Sequence, residues 1–234
     1  MDDSLPSVVV ADIRTVGRGR FRMLVLSDGR EFLFSDEACE RARVVEGTVA
    51  DETLFRALED AEQRVNAHDA ALRLLSHRAR SETEMRTRLA MRGVAPPAID
   101  EEITRLRDAG LLDDAKFARA WVEDRKRMAP RGRRMLRYEL LGRGIDPESV
   151  DVVTNDIDDR DTAIALARGK ARGSALSSYE TFVAKVGGFL RRRGFDYAVA
   201  TEATRIAWDE AQEAVGQEGM AAPAAAEPVP ASDS

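Results

Sequence analysis

Hydrophobic positions follow two different rhythms along this chain. In the first fifty residues they come in short, dense runs: "VVVADIRTV", "RFRMLVL" and "REFLF". These runs are rich in β-branched, aromatic and other apolar residues and predict strands. Asp28-Gly29 lies between the second and third runs. Asp-Gly between two such runs is a strong hairpin signal. Gly17-Arg18-Gly19 turns the chain between the first and second. Residues 8 to about 35 therefore predict three antiparallel strands, within a small β extension over 8–50. Three strands alone are marginal and need a face to pack against.

From Asp51 onward the spacing becomes helical. Leu54, Leu58 and Ala61 recur at i, i+4 and i+7, which predicts a connecting helix over 51–66. A second helical stretch runs from about Ala67 to Arg78. One phrase then occurs three times: "LAMRGV" from Leu89, "LLGRGI" from Leu140 and "LRRRGF" from Leu190. The copies lie 51 and 50 residues apart. Before each glycine stands an apolar pair four residues apart, Met85/Leu89, Leu136/Leu140 and Val186/Leu190, on one helix face. Gly93, Gly144 and Gly194 sit where a left-handed residue ends a helix without a Cβ clash. Val94, Ile145 and Phe195 are placed to fold back onto the last turn. Arg92, Arg143 and Arg193 precede the glycines. A cation there meets the partial negative charge of the helix end, typically worth ~0.3–1 kcal/mol. Helix-end stabilisation and a direct binding role both account for these arginines, the first more simply.

Start signals complete the pattern. Ser81 and Glu84 form a capping box, and Gly132 takes the equivalent place in the second copy. Pro97 and Pro147 suit first-turn positions. "DDAKFARAWVEDR" places Phe117 and Trp121 on one face, with Asp113 or Asp114 as the cap. The phrase thus marks one joint in three tandem three-helix repeats, over 67–112, 113–158 and 159–215. The expected fold is mainly α, an elongated array of repeats preceded by the antiparallel β extension, α+β overall. Each repeat has little core of its own, and stacked neighbours bury more. By analogy, such arrays bind macromolecules rather than small substrates. Residues 1–7 and the Ala/Pro tail 216–234, "GQEGMAAPAAAEPVPASDS", have too little to bury and predict disorder.

Composition narrows the function. Apolar residues make up 44%, charged residues 33% and aromatics 6% of the 234 residues. The net charge is −6, so the whole molecule is not a polycation. Cys39 is the only cysteine; it forms no internal disulfide and builds no metal site alone. That fits a reducing cytoplasm. "MDDSLPS" lacks the order of a secretion signal, and no apolar run approaches the ~20 residues of a membrane span. The expectation is a soluble cytoplasmic protein without membrane contact. His68 and His77 stand in no metal-ligand spacing and read as solvated or capping side chains. "GRGRF" at Gly17 and "GKARGS" at Gly169 are not phosphate loops. Asp113-Asp114 reads as a helix cap rather than a magnesium pair. No catalytic residue, metal, cofactor or small-molecule substrate is predicted.

Charge is unevenly spread. Arg125, Lys126, Arg127, Arg131, Arg133, Arg134, Arg137 and Arg143 fall in one short segment whose single acid is Glu139. Arg191, Arg192 and Arg193 form a smaller group, and acids concentrate in "NDIDDRD" from Asn155 to Asp161. The strip is either a solvated helix face or a contact for phosphates or an acidic protein surface. Its density and lack of acids favour contact. Arg131, Arg133, Arg134 and Arg137 also stand at or near a predicted helix start, where positive charge opposes the helix dipole. An external anion would offset that cost. Tyr138 lies within the strip, where it could stack.

Together these residues resemble the RecX family, bacterial regulators of the RecA recombinase. The resemblance rests on "ALRLLSHRARSETEMRTRL", "GLLDDAKFARAWVEDR", "GRRMLRYELLGRGI" and "FLRRRGF", and covers roughly residues 67 to 208. The second and third are the most specific. The family positions among them are Asp113, Asp114, Phe117, Leu140 and Gly144. The N-terminal strands look like an extension that many members carry; the tail has no counterpart. The resemblance implies a non-enzymatic protein of three three-helix repeats whose partners are RecA and the RecA–DNA filament. Lodged in the filament groove, it would restrain filament growth, strand exchange, ATP hydrolysis by RecA and the co-protease activity behind the SOS response. Direct contact with DNA is a further option. The competing reading is a helical-repeat DNA-binding protein or transcription regulator acting without RecA. Against it stand the acidic total charge and the lack of an obvious helix-turn-helix pair.

Overall fold

A computed structural model describes residues 7–172 and 178–220, with side chains as far as 214. The predicted disorder of residues 1–6 and 221–234 lies outside the described residues. The chain divides into two compact units, Met1–Phe117 and Ala118–Ser234.

The first unit opens with strands β1 (Val10–Val16), β2 (Phe21–Leu26) and β3 (Glu31–Ser35), an antiparallel sheet in the order β1-β2-β3. Gly17, Arg18 and Gly19 all take positive φ between β1 and β2, and Gly29 does so between β2 and β3. Val10, Leu24 and Leu26 turn inward against Cys39, Val44, Leu54 and Leu58. The face that the sheet needs therefore comes from α1 (Asp36–Arg41) and the first half of α2 (Glu52–His77). The sequence reading has no counterpart of α1. Ser35 starts it by accepting from the Ala38 N–H at 3.2 Å. Glu62 on α2 holds that serine through its N–H and hydroxyl, at 2.9 and 2.8 Å. Cys39 is fully buried, and burial pushes its thiol up to about 11.

The helix α2 is continuous where the sequence reading separates 51–66 from 67–78. No glycine or proline interrupts it, so the two apolar stripes merge into one rod. Its first half covers the sheet. Its second half buries Ala67, Ala70, Ala71 and Leu74 against α3 (Glu82–Ala90) and α4 (Pro96–Asp108). Small alanines on α2 leave room for Met85, Leu89, Ile99, Ile103 and Leu106. Ser81 caps α3 by accepting from the Glu84 N–H at 3.2 Å. At the other end Gly93 takes φ +77 and the Val94 N–H donates back to the Leu89 carbonyl, as the repeated phrase predicts. His68, expected to be solvated or capping, pairs its Nδ1 with buried Glu102 at 2.9 Å.

The helix α5 (Asp114–Met128) begins in the first unit; α6 (Arg133–Leu141), α7 (Pro147–Thr154), α8 (Asp159–Ala171) and α9 (Tyr179–Phe182) follow. A π-helical turn, Val183–Gly187, leads into α10 (Gly188–Arg192), and α11 spans Tyr197–Met220. Residues 216–220, expected within the disordered tail, therefore continue a helix. Gln217 and Glu218 are good helix formers, and the two glycines beside them only weaken it. Leu136, Leu140, Ile145 and Val150 are buried in the second copy of the joint, and Phe182, Val186, Leu190 and Phe195 in the third. The second and third joints meet backbone to backbone. The Gly132 N–H donates to the Arg193 carbonyl at 2.9 Å. A Cβ on Gly132 would lie 2.5 Å from the Gly194 oxygen. Glycine at this helix start is demanded by close approach, beyond its tolerance at an N-cap. No helix among the described residues is long and apolar enough to cross a membrane.

Candidate macromolecule-binding surface

The basic strip lies on α5, α6 and the loop between them, and one carboxylate organises its centre. Glu139 Oε2 accepts from Trp121 Nε1 at 2.9 Å and from Arg125 Nε at 2.8 Å. Its Oε1 forms an ion pair with Arg131 Nε at 2.8 Å. The Arg125 and Arg143 guanidinium carbons stand 4.1 and 3.7 Å from the centroid of the Trp121 ring. Two guanidiniums cannot share one face at these distances, so the indole is held between them. Cation–π contacts of this kind are worth about 0.5–2 kcal/mol each. Trp121 and Arg125 are one helical turn apart, so half of this stack is visible in the sequence as an i,i+4 pair. The part played by Arg143 and the central role of Glu139 require the fold.

The other nominated residues are also engaged, except one. Lys126 pairs with Glu123 at 2.9 Å and Arg127 with Asp124 at 2.7 Å. These pairs are exposed and worth ~0–1 kcal/mol, so an external anion can displace them. Arg133 donates from Nη2 to Asn155 Oδ1 at 2.5 Å, and its N–H donates to Asp159 at 2.9 Å. Arg137 pairs with Asp151. Burial pushes the Asp159 carboxyl above its ordinary range, against the lowering effect of the Arg133 N–H. Arg134 alone among the eight cations of the strip has no carboxylate or other side-chain partner among the described residues, and it is exposed.

This corrects one step of the sequence argument. Positive charge at the start of α6 does not require an external anion. Asp151 and Asp159 come from α7 and α8, and Glu139 from the next turn of α6 itself. What faces solvent on α6 is a ridge of Arg134, Tyr138 and Leu141, spaced i, i+4 and i+7. Tyr138 is 75% exposed.

The family positions build the joint rather than its surface. Asp113 caps α5, accepting from the Lys116 N–H at 2.8 Å. Asp114 accepts from the Glu82 N–H at 2.8 Å and so caps α3. Asp159 does the same for α6, from the matching place at the start of α8. Phe117 and Leu140 are buried, and Gly144 takes φ +77.

Comparison with known proteins adds a consistent set of relatives. Residues 67–106 match the family description "RecX, first three-helix domain", and residues 113–153 match "RecX, second three-helix domain". The chain is 36% identical over 147 residues to Regulatory protein RecX of Mycobacterium sp. strain KMS, covering 60% of this chain and 80% of that one. It is 37% identical over 131 residues to Regulatory protein RecX of Chlorobium phaeobacteroides strain BS1, covering 56% of this chain and 85% of that one. Among solved structures, a crystal structure of regulatory protein RecX matches with TM-score 0.68 and 21% identity, over 85% of this chain and 99% of the other. RecX from Lactobacillus salivarius matches with TM-score 0.57 and 23% identity, over 64% and 99%. At these identities the two structures show a shared fold.

Proposed function

This chain belongs to the RecX family of regulatory proteins, and we propose that it is a non-enzymatic regulator of the RecA recombinase in the cytoplasm. It binds the RecA–DNA filament and inhibits strand exchange, ATP hydrolysis and co-protease activity, and so modulates recombination, repair and the SOS response. The observation that carries the reading on this chain's own residues is the α6 ridge. Arg134 and Tyr138 project from a frame in which Arg125 and Arg131 are held by Glu139, Arg137 by Asp151 and Arg133 by Asn155. A contact surface with a fixed frame loses little side-chain entropy on binding. In the last turn of α5, Lys126 and Arg127 add charge that exposed pairs release readily.

The test is the single-strand-DNA-dependent ATPase of RecA with this protein added substoichiometrically. Wild type should suppress it. Arg134→Glu combined with Tyr138→Ala should lose most of the suppression and keep the wild-type helix content and thermal midpoint. Full suppression by that variant would remove the α6 ridge from the contact. No suppression by wild type would remove RecA as the partner.

A further inference from the structure

The first repeat carries a second group of arginines, outside the strip and balanced differently. Arg73 on α2, Arg80 on the α2–α3 loop, Arg88 on α3 and Arg92 in the turn that follows α3 have no carboxylate partner among the described residues. Arg73 Nε donates to the Asp69 carbonyl, Arg80 Nε to the Leu74 carbonyl and Arg92 Nη1 to the Arg88 carbonyl. The Arg88 guanidinium has no partner among the described residues. The other arginines near them are satisfied. Arg78 pairs with Glu84 at 2.8 Å, and Arg86 with Glu82 at 3.0 Å and with Asp100. The four thus form a group without a direct carboxylate pair among the described residues, Glu84 acting on Arg80 only at longer range. Burial holds the Arg80 guanidinium below its usual range, and Arg78, Arg88 and Arg92 add to that against Glu84. Arg73 and Arg92 also line a cleft of about 400 Å³ together with Gln63 and Asn66.

One position explains the difference from the second repeat. Arg88 stands immediately before the recurring leucine, Leu89, and Glu139 stands immediately before Leu140. By the same offset Arg80 matches Arg131, and Arg92 matches Arg143. In the second repeat the acid closes the network. In the first an arginine takes its place, and the network stays open.

We propose that the Arg73–Arg80–Arg88–Arg92 group and its cleft bind the phosphodiester backbone of a nucleic acid strand. Guanidinium forks match phosphate oxygens two at a time, with geometry that lysine lacks. Arg88 in the last turn of α3 and Arg92 just past its end present separate guanidiniums, the second donating to the carbonyl of the first, so they address successive charges of a polyanion rather than one ion. The cleft holds no aromatic ring on which a base could stack. It therefore grips backbone without reading sequence. The inference takes its choice of polyanion from the proposed role at a nucleoprotein filament, but uses none of the α6 residues.

The experiment uses the full chain without RecA. Fluorescence anisotropy of a labelled oligothymidylate is measured across a salt series. Wild type should bind with an affinity that falls steeply with salt. Arg88→Glu with Arg92→Glu should weaken binding by roughly tenfold or more and flatten the salt dependence, because fewer counterions are released. Arg88→Lys with Arg92→Lys should fall in between. RecA inhibition by the Arg88→Glu, Arg92→Glu variant is scored separately. The two readings therefore fail independently. Inorganic phosphate and ATP, at matched ionic strength, should not displace the oligonucleotide. Displacement by either would make the cleft a small-phosphate site and overturn the proposal. Displacement by polyglutamate as effective as by unlabelled oligonucleotide would overturn it in favour of an acidic protein surface. Equal binding by wild type and the glutamate variant would overturn it outright. All these side chains are exposed or half-buried, and circular dichroism verifies that each variant is folded.

Discussion

The ends of α3 and α6 occupy the same joint in successive repeats and bury the same kind of core, yet their surfaces have opposite electrical character. Leu89 and Leu140 are both fully buried, and Val94 and Ile145 both fold back onto them. Even an ion pair is repeated: Arg86 with Asp100 in the first copy matches Arg137 with Asp151 in the second. The charge pattern diverges at the residue before the leucine. Glu139 draws Arg125, Arg131 and Trp121 together, whereas Arg88 leaves its neighbours open. In the third repeat that position is Phe189, and Arg193 lies over its ring at 4.7 Å. The repeat is a frame held by apolar residues. One half-exposed position then decides whether the surface is neutralised, cationic or stacked.

The largest effects should come from the shared frame. Leu89→Ala and Leu140→Ala should each destabilise by roughly 2–5 kcal/mol. Denaturant unfolding of both variants checks this, and a small loss in one and a large loss in the other would mean the two joints are not equivalent. The residue before each leucine should split them. Glu139→Ala leaves an indole N–H and two arginines without their acceptor, in a half-buried site. It should cost roughly 1–3 kcal/mol. Arg88→Ala removes no partner and should stay within about 0.5 kcal/mol. Equal losses at both positions would undo the contrast.

A last, small effect concerns the cap of α6. Asp159→Asn keeps an oxygen for the Arg133 N–H, so the stability change near neutral pH should be under ~1 kcal/mol. Its sign should depend on pH. The Asp159 carboxyl is raised in the folded protein, so the folded state holds its proton more tightly. Its contribution is therefore most favourable below its unfolded value and declines as pH rises through the folded one. The asparagine variant lacks that decline. Relative to wild type it should gain stability between acid and neutral pH, read from thermal midpoints across that range. A constant difference would mean that burial of Asp159 has no electrostatic cost.

Much of this was legible in the chain itself. Short, dense apolar runs around Gly17 and Asp28-Gly29 lead directly to the strands, and the recurring leucine–arginine–glycine phrase to buried Leu89, Leu140 and Leu190. Helix ends were readable because their signals are local. Two things were not. The short α1 depends on Glu62 reaching back to Ser35, a contact between residues 27 apart in sequence. The balance of the basic strip depends on Asp151 and Asp159, which belong to helices further along the chain. Counting acids inside one segment misses charges that packing delivers from another. The contrast between Arg88 and Glu139, however, is present in the sequence once the repeats are set in register. It is hidden only because each stretch, read alone, looks like an ordinary charged helix.

The continuity of α2 bears on how the first unit comes apart. The sheet rests on Leu54 and Leu58, and the first repeat on Ala67, Ala71 and Leu74. These belong to a single 26-residue rod with no weak link between them. Short helices are marginal in water without tertiary support, so melting one end removes the support that keeps the other helical. The amides of the sheet and of α3 and α4 should thus exchange with solvent through one shared opening event rather than two. A protease seeking a nick between strands and repeats would find no exposed loop in α2 at which to begin.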